Sequence, residues 1–457
     1  MTMATTARAI GSEAVQRDSD YVLKGGWYTL WFSMFVMLFA FVDRQVLTLA
    51  AAPMSARLGL SDGQLGMVQG LGFAIFSVAA VYPIAWAADR FGRRSVLAVC
   101  IVTWSLGTAS FGFAKNFGQM FIAAIAVAAG EAGTGPIFAS VVPELFKGRK
   151  RLLANGLTYF FGYLGISLGL ALGGGAIGAI DAAHGDLPAA LRSFESWRLA
   201  FFLVALPAPV FLIFLAFARL DVLHDAPKFE AAKSPSADDF WAFVWRNRVA
   251  MGSVLGGLGL YVLAFGGYLV WLPVAATRLF NATPAENGMA IGLATGLGMV
   301  GGVIAGTLIV RRLIVHLGPV ATIRFFWIAM TVSSPLLLAF PFAGSTWQLY
   351  SLFGAVMLSG TAIGSMVATL LQDMVPSVLR ARFFAVYTIV VGLIGGSAPS
   401  LVGWVSSALG TEPRQLLVAM TMVAVPAWFA GIVLLRMAER PFVGLIQSIA
   451  EREGETI

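Results

Sequence analysis

Two carboxylates and one guanidinium stand where ionised groups are expensive. Asp43 and Arg44 interrupt an otherwise charge-free run over 27–52, and Glu131 interrupts another over 116–143. An acid or base at the centre of a membrane helix costs about 2.5–3.5 kcal/mol on insertion scales, so each requires a reason. At about 1.5 Å per residue, Asp43 lies roughly 24 Å along its helix from Trp27, and Glu131 roughly 24 Å from Lys147. The two acids are thus expected at similar depth. Desolvation there disfavours charge while Arg44 favours it, a competition that suits a reversible proton carrier. Neighbouring helical positions point about 100° apart, so Asp43 and Arg44 are poorly explained as an intrahelical pair. Arg44 is left with two roles: a charge partner for Asp43, or a planar fork for an anionic substrate. The three histidines, His184, His224 and His316, fall in loops or at helix ends, so no membrane-embedded histidine relay is available.

The elements that must position these groups follow from composition. Of 457 residues, 58% are hydrophobic and 12% charged, with a mean hydropathy of +0.83. A soluble domain carries about twice that charge, roughly 25%. A net charge of +7 without a basic stripe interleaved with aromatics does not point to nucleic acid. Cys100 is the single cysteine, which excludes an intrachain disulfide and a cysteine metal cluster. No GxxxxGK[ST] phosphate loop, nucleophile–base set or metal set is present, so an enzyme, a bound cofactor and ATP-driven transport by this chain alone are not expected.

A membrane helix needs about 20 apolar residues. Charge-poor runs at 27–52, 63–88, 95–114, 116–143, 152–180, 199–218, 249–277, 287–310, 325–372 (two spans turning at Pro341 and Gly344), 383–411 and 415–435 predict an all-α protein of twelve spans. Residues 1–26 read as a polar tail, 27–218 as a first six-helix bundle, 219–248 as a linker, 249–438 as a second bundle and 439–457 as a tail. Lys and Arg concentrate in the tails and after spans 2, 4, 6, 8 and 10, which predicts cytosolic termini. Six spans plus six suggest an internal repeat with a site near the midplane. Its traces are AWAADRFGRR (85–94) against GTLIVRR (306–312), and GRKRLLA (148–154) against LRARFFA (379–385).

Three further features invite a role. Asp89, Arg90, Arg93 and Arg94 crowd the turn after span 2. The arginines anchor topology, but Asp89 needs another reason, and an ion-pair latch to Arg380 or Arg382 is a plausible gate. Tyr261, Phe265, Tyr268 and Trp271 share one face of span 7, either as packing or as cavity lining. Glycines crowd span 5, permitting close helix approach.

AWAADRFGRR resembles the GxxxDRxGRR signature of the major facilitator superfamily, with Ala85 at the first glycine. FVDRQVLTLAAAP, LGLSDGQLGMVQGLGFAIF, GEAGTGP and SWRLAFFLVALP together resemble its bacterial spinster-like group. The resemblance implies two pseudo-symmetric six-helix bundles around a central cavity, alternating access, Asp43 and Glu131 as proton-coupling residues with Arg44 their partner, and Asp89 with Arg93 in a cytosolic gate. It also implies an amphipathic, lipid-like substrate, as in eukaryotic members. Two departures stand out: Ala124 lies near the place where many relatives carry an arginine on helix 4, and Val310 replaces the gate aspartate of the second half. The leading expectation is therefore a proton-coupled transporter of an amphipathic molecule, monomeric, in the cytoplasmic membrane and in contact with its lipids. The alternatives are proton-driven uptake of a small organic anion through Arg44 and a non-transporting sensor.

Overall fold

A computed structural model describes residues 22–220, 237–376, 379–410 and 412–453. Twelve helices in it are long and apolar enough to cross a membrane. They are α1 (Gly26–Leu58), α2 (Asp62–Phe91), α3 (Arg93–Phe113), α4 (Phe117–Leu145), α5 (Gly148–Ala182) and α6 (Ser196–Leu215), then α7 (Arg248–Phe280), α8 (Pro284–Leu317), α9 (Ala321–Phe342), α10 (Thr346–Asp373), α11 (Arg382–Leu409) and α12 (Pro413–Glu453). An all-helical build is the expected answer to a solvent that cannot hydrogen-bond a bare backbone. Much of the expected tail 1–26 and linker 219–248 lies outside the described residues. The expected tail at 439–457 is different in its described part: α12 continues unbroken to Glu453.

The start of α1 and the end of α12 lie on one side of the twelve spans, called here the terminal face; the opposite side is the far face. Four helices that start at the far face, α2, α4, α8 and α10, carry side-chain caps where backbone N–H groups lack partners. Ser61 with Gln64 and Thr283 with Glu286 form reciprocal capping boxes, and Asn116 and Ser345 accept from Gln119 and Gln348. At the terminal face the α2–α3 turn is a single residue, Gly92, at φ 84°. That left-handed conformation is why the RFGRR motif needs glycine there.

Glycine rows set the helix spacing. A Cβ on Gly165 or Gly169 of α5 would meet α1 at 3.0 Å (Phe41 Cβ) and 2.8 Å (Val42 Cα). One residue row further, Gly174 of α5 faces Gly288 of α8 across the two bundles, with 2.8 Å from such a Cβ to the Gly288 Cα. Buried apolar contact also joins the bundles at the far face, where Leu49, Met54, Leu65 and Val68 share one cluster with Tyr268, Trp271, Ala398 and Val402. The terminal-face cluster around Met34, Val36, Leu97 and Phe138 stays within the first bundle. The molecule is therefore shut at the far face and parted at the terminal face, where Tyr82, Trp86, Phe160 and Ile304 are exposed.

Candidate functional site

Asp43 points into the first bundle. It is 4% exposed and accepts a hydrogen bond from Thr108 of α3, itself 1% exposed. Glu131 approaches from α4, held there because Gly130 presses α4 onto α3: a Cβ on Gly130 would lie 2.5 Å from Trp104 N. α4 then breaks at Gly133, where the Thr134 hydroxyl donates to the Glu131 carbonyl at 2.8 Å. The side chain of Glu131 is within Coulombic reach of Arg44 and Asp43, and its Oε1 is buried without a hydrogen-bond partner. The structure thus gathers Asp43, Arg44 and Glu131 into one electrostatic group from α1 and α4.

Arg44 turns the other way, into a cavity of about 430 Å³ between α1 and α2 of one bundle and α7 and α11 of the other. Its guanidinium carbon lies over the Phe73 ring, 3.9 Å from the centroid. A cation–π contact of this kind consumes none of the hydrogen-bonding capacity of the N–H donors. Among the described residues no hydrogen bond or ion pair takes up those donors. Gln45 and Gln69 also line the cavity. Gln45 is 4% exposed with Oε1 unpartnered, and both amide atoms of Gln69 are buried and unpartnered. A buried amide left unpaired costs about 1–3 kcal/mol, so two in one cavity mark it as a place built to meet polar groups. Neither was singled out from sequence. The signal was their rarity in apolar spans, which a search for ionisable groups alone passes over. Among the described residues no group of three His, Cys, Asp or Glu is placed to hold a metal ion.

The far end of this cavity is closed by polar contacts between bundles. Arg278 of α7 clasps Asp62 at the start of α2 through Nη2···Oδ1 at 2.6 Å and Nη1···Oδ2 at 2.8 Å. Ser406 of α11 donates to the same carboxylate at 2.7 Å, and Ser407 Oγ accepts from Gly63 N at 3.0 Å. Deeper in, α2 breaks at Gly70, and Ser400 of α11 fills the gap, accepting from Leu71 N and donating to Gly66 O, both at 2.9 Å. The Asp62–Arg278 pair was not anticipated. Its sequence signal is an arginine at the end of a span where cations are scarce.

The other expected residues sort differently. Arg93 pairs with Glu144 at the end of α4 (2.8 and 2.9 Å) and donates to Leu220 O, and Arg94 donates to Ala218 O at 2.7 Å. These bonds staple the α2–α3 turn within its own bundle. Arg90 lies over the rings of Trp86 and Phe91 at 5.5 and 5.7 Å. Asp89 and Arg380 are exposed and Arg382 is half-buried. The described ion pairs include none from Asp89 to α11, as the parted terminal face requires. The α7 aromatic row is packing rather than cavity lining. Tyr261, Tyr268 and Trp271 are at most 6% exposed and donate to the carbonyls of Gly360, Leu337 and Pro399, all within the second bundle. Phe265 stacks beside Tyr261. The cavity instead receives the next face of α7, with Gly266, Leu269 and Val270.

Comparison with known proteins agrees with this architecture. A family model described as Major Facilitator Superfamily matches residues 33–399. A protein described as an MFS-type efflux pump of Mycolicibacterium smegmatis is 26% identical over 431 residues, covering 91% of this chain and 95% of that protein. A hexuronate transporter of Bacillus subtilis is 25% identical over 426 residues, 88% of this chain and 92% of its own. Among solved structures, a bacterial homologue of the human lysosomal transporter Spinster, inward-facing and occupied, superposes with a TM-score of 0.74 at 21% identity, covering 93% of this chain and 97% of that one.

Proposed function

This chain belongs to the Major Facilitator Superfamily and is a multi-pass membrane transporter rather than an enzyme, and from that premise we propose that it moves a small organic anion by alternating access, coupled to protons. The observation that carries this reading is Arg44: a guanidinium facing the central cavity, held over the Phe73 ring, with its donors hydrogen-bonded to no acceptor among the described residues. A carboxylate fits such a fork bidentately. Gln45 and Gln69 supply hydrogen-bonding groups to the rest of a polar solute. The hexuronate transporter's name describes a solute of this chemistry.

Coupling follows from charge. With Asp43 and Glu131 both ionised, Arg44 already balances one of two negative charges, and an incoming anion meets a net repulsion. A proton on either acid removes that repulsion, so proton and anion favour each other, and the coupling is reciprocal. The concentration of Lys and Arg at the terminal face supports placing that face in the cytosol of a cell with a cytoplasmic membrane. The parted state then opens inward, and symport of anion with proton is the natural direction. A monomer suffices, since every group named belongs to one chain.

A second reading, transport of an amphipathic lipid-like molecule, is favoured by one specific feature. An apolar groove of about 350 Å³ lined by Phe160, Leu164, Met299 and Ile304 runs between α5 and α8 on the parted side. Proteoliposome flux distinguishes the two. Sugar acids and simple carboxylates are expected to be driven by an imposed pH gradient. Arg44→Gln should raise the half-saturating concentration about 10–100-fold, the worth of one or two charge-assisted bonds, and Arg44→Lys should recover part of it. Lysolipid flux that survives Arg44→Gln, with no carboxylate flux in the wild type, selects the second reading.

A further inference from the structure

The helix Ala237–Arg246 links the bundles and takes no part in the cavity. Its sequence, ADDFWAFVWR, is two-faced. Phe240 is 3% exposed and packs into the cluster that holds Phe442 and Leu445 of α12, with Phe243 and Val244 against the same cluster. The opposite face shows Trp241 and Trp245, one turn apart and 57% and 71% exposed. Asn247 alone separates this helix from α7. The junction is held by Asn247 Nδ2 donating to Phe243 O at 2.9 Å and Arg248 Nη1 donating to Trp245 O at 3.3 Å. The Arg248 guanidinium lies 5.5 Å from the Trp245 ring, and Val249, 56% exposed, continues the same face onto the outside of α7.

This continuity ties the helix to the start of α7. The charge-free run of α7 begins at Val249, so Trp245 precedes it by about one helical turn, about 6 Å of axial rise. That is the headgroup layer, where indoles are enriched because the ring is apolar and the N–H is not. Two indoles left facing water would be an unexplained cost; facing a leaflet they gain burial. Arg246 also borders a cleft of about 490 Å³ between the linker helix and the end of α12, with Asn247 and Ser448 as its other polar walls. A cation, an amide and a hydroxyl suit a phosphate ester.

We propose that the linker helix lies on the terminal-face leaflet, with Trp241 and Trp245 set into the headgroup boundary and Arg246 and Arg248 bound to the phosphates of anionic phospholipids. The helix then tethers the joint between the bundles to the membrane surface, whatever solute the cavity takes.

Cys100 is the single cysteine and is 4% exposed, so a Cys100→Ala background accepts one reporter. Ala242, exposed on the tryptophan face, is replaced by Cys and spin-labelled in the full-length protein. The protein is reconstituted in vesicles of phosphatidylcholine with or without phosphatidylglycerol, and collisions with oxygen and with a water-soluble nickel chelate are compared. Oxygen collisions should dominate. Trp241→Ser with Trp245→Ser should raise nickel access several-fold at unchanged fold. Arg246→Gln or Arg248→Gln should lower co-purified phosphatidylglycerol about fivefold each. Nickel access at Ala242→Cys as high as at a labelled loop site, in both lipids, overturns the proposal. So does protection that depends on protein density, which would assign the face to a second copy, or protection that appears only when soluble protein is added.

Discussion

Removing the Arg278 guanidinium should open the far face by an amount that can be worked out. The Asp62–Arg278 pair is bidentate, with side chains 11% and 28% exposed. Two unit charges about 4 Å apart interact by about 4 kcal/mol at an effective dielectric of 20. Desolvation and residual water contact reduce this to about 2 kcal/mol, the usual worth of a charge-assisted bond at a partly exposed site. Since about 1.4 kcal/mol is tenfold, Arg278→Gln should lower the ratio of far-closed to far-open protein about thirtyfold. A protein closed 99 times in a hundred would become closed about three times in four. The substitution is better made at Arg278 than at Asp62, which also lies in the first turn of α2 and accepts from Ser406. Nitroxides at Asp186→Cys and Glu412→Cys, exposed sites on far-face loops of opposite bundles, report the separation by electron–electron distance measurement in Cys100→Ala protein. A long-distance population should appear in Arg278→Gln, and Asp62→Asn should add little on top of it. Identical distributions in wild type and Arg278→Gln would refute the clasp as a determinant of far-face closure.

Four other expectations are direct. Asp43→Asn and Glu131→Gln should each abolish accumulation driven by a pH gradient while leaving solute exchange across the bilayer intact; undiminished driven uptake in either removes that acid from the coupling group. Gly174→Val should prevent far-face closure, because its Cβ would sit 2.8 Å from the Gly288 Cα, whereas Gly175→Val, with nothing within 4 Å of its Cβ, should transport normally; equal turnover in the two would contradict the glycine seam. Asp89→Asn should leave the parted conformation unchanged and speed the return from the opposite one, and a shift of the same sign as Arg278→Gln in the distance measurement would count against a terminal-face latch. Glu195, between spans, titrates below the ordinary carboxylate range: partial burial opposes this, but hydrogen bonds from Arg57 and Arg198 outweigh it. A lowered folded-state pKa means its stabilisation is present above the unfolded value and disappears as pH falls through the folded value, so wild type and Glu195→Gln should melt apart at neutral pH and together in acid.

What was legible in the sequence follows from scarcity. Helices were readable because charge is rare and lipid demands long apolar runs, and Asp43, Arg44 and Glu131 were readable because they break that rule. Gln45, Gln69 and Thr108 are polar without charge, and nothing in a one-dimensional pattern says that Thr108 meets Asp43 or that the glutamines face one cavity. The α7 row of Tyr261, Phe265, Tyr268 and Trp271 shows the complementary failure: a spacing of three and four identifies a face but not what it faces. Hydrogen bonds from three of its rings to carbonyls of α9, α10 and α11 bind it into the second bundle. Asp62 and Arg278 are 216 residues apart and each looks like an ordinary helix-end charge. Only the docking of α2 against α7 and α11 makes them a pair.

The far-face contacts also limit how the protein can change state. Besides the clasp, four inter-bundle hydrogen bonds, from Gly63 N to Ser407, from Leu71 N to Ser400, from Ser400 to Gly66 O and from Ser406 to Asp62, must part for the cavity to open there. At about 1 kcal/mol each, with about 2 for the clasp, the far-closed state holds about 6 kcal/mol of polar contact. A ligand shifts a conformational equilibrium only by the difference in its affinity for the two states. A solute bound with a millimolar constant has about 4 kcal/mol in total, and most of that is common to both. Solute binding alone is therefore too weak to open the far face. New contacts at the terminal face must form as the old ones break, and the latch proposed between Asp89 and Arg380 or Arg382 would be one of them. On the proposed coupling, protonation of the acids beside Arg44 sets which exchange is favoured, because it changes the charge that the closing bundles must enclose.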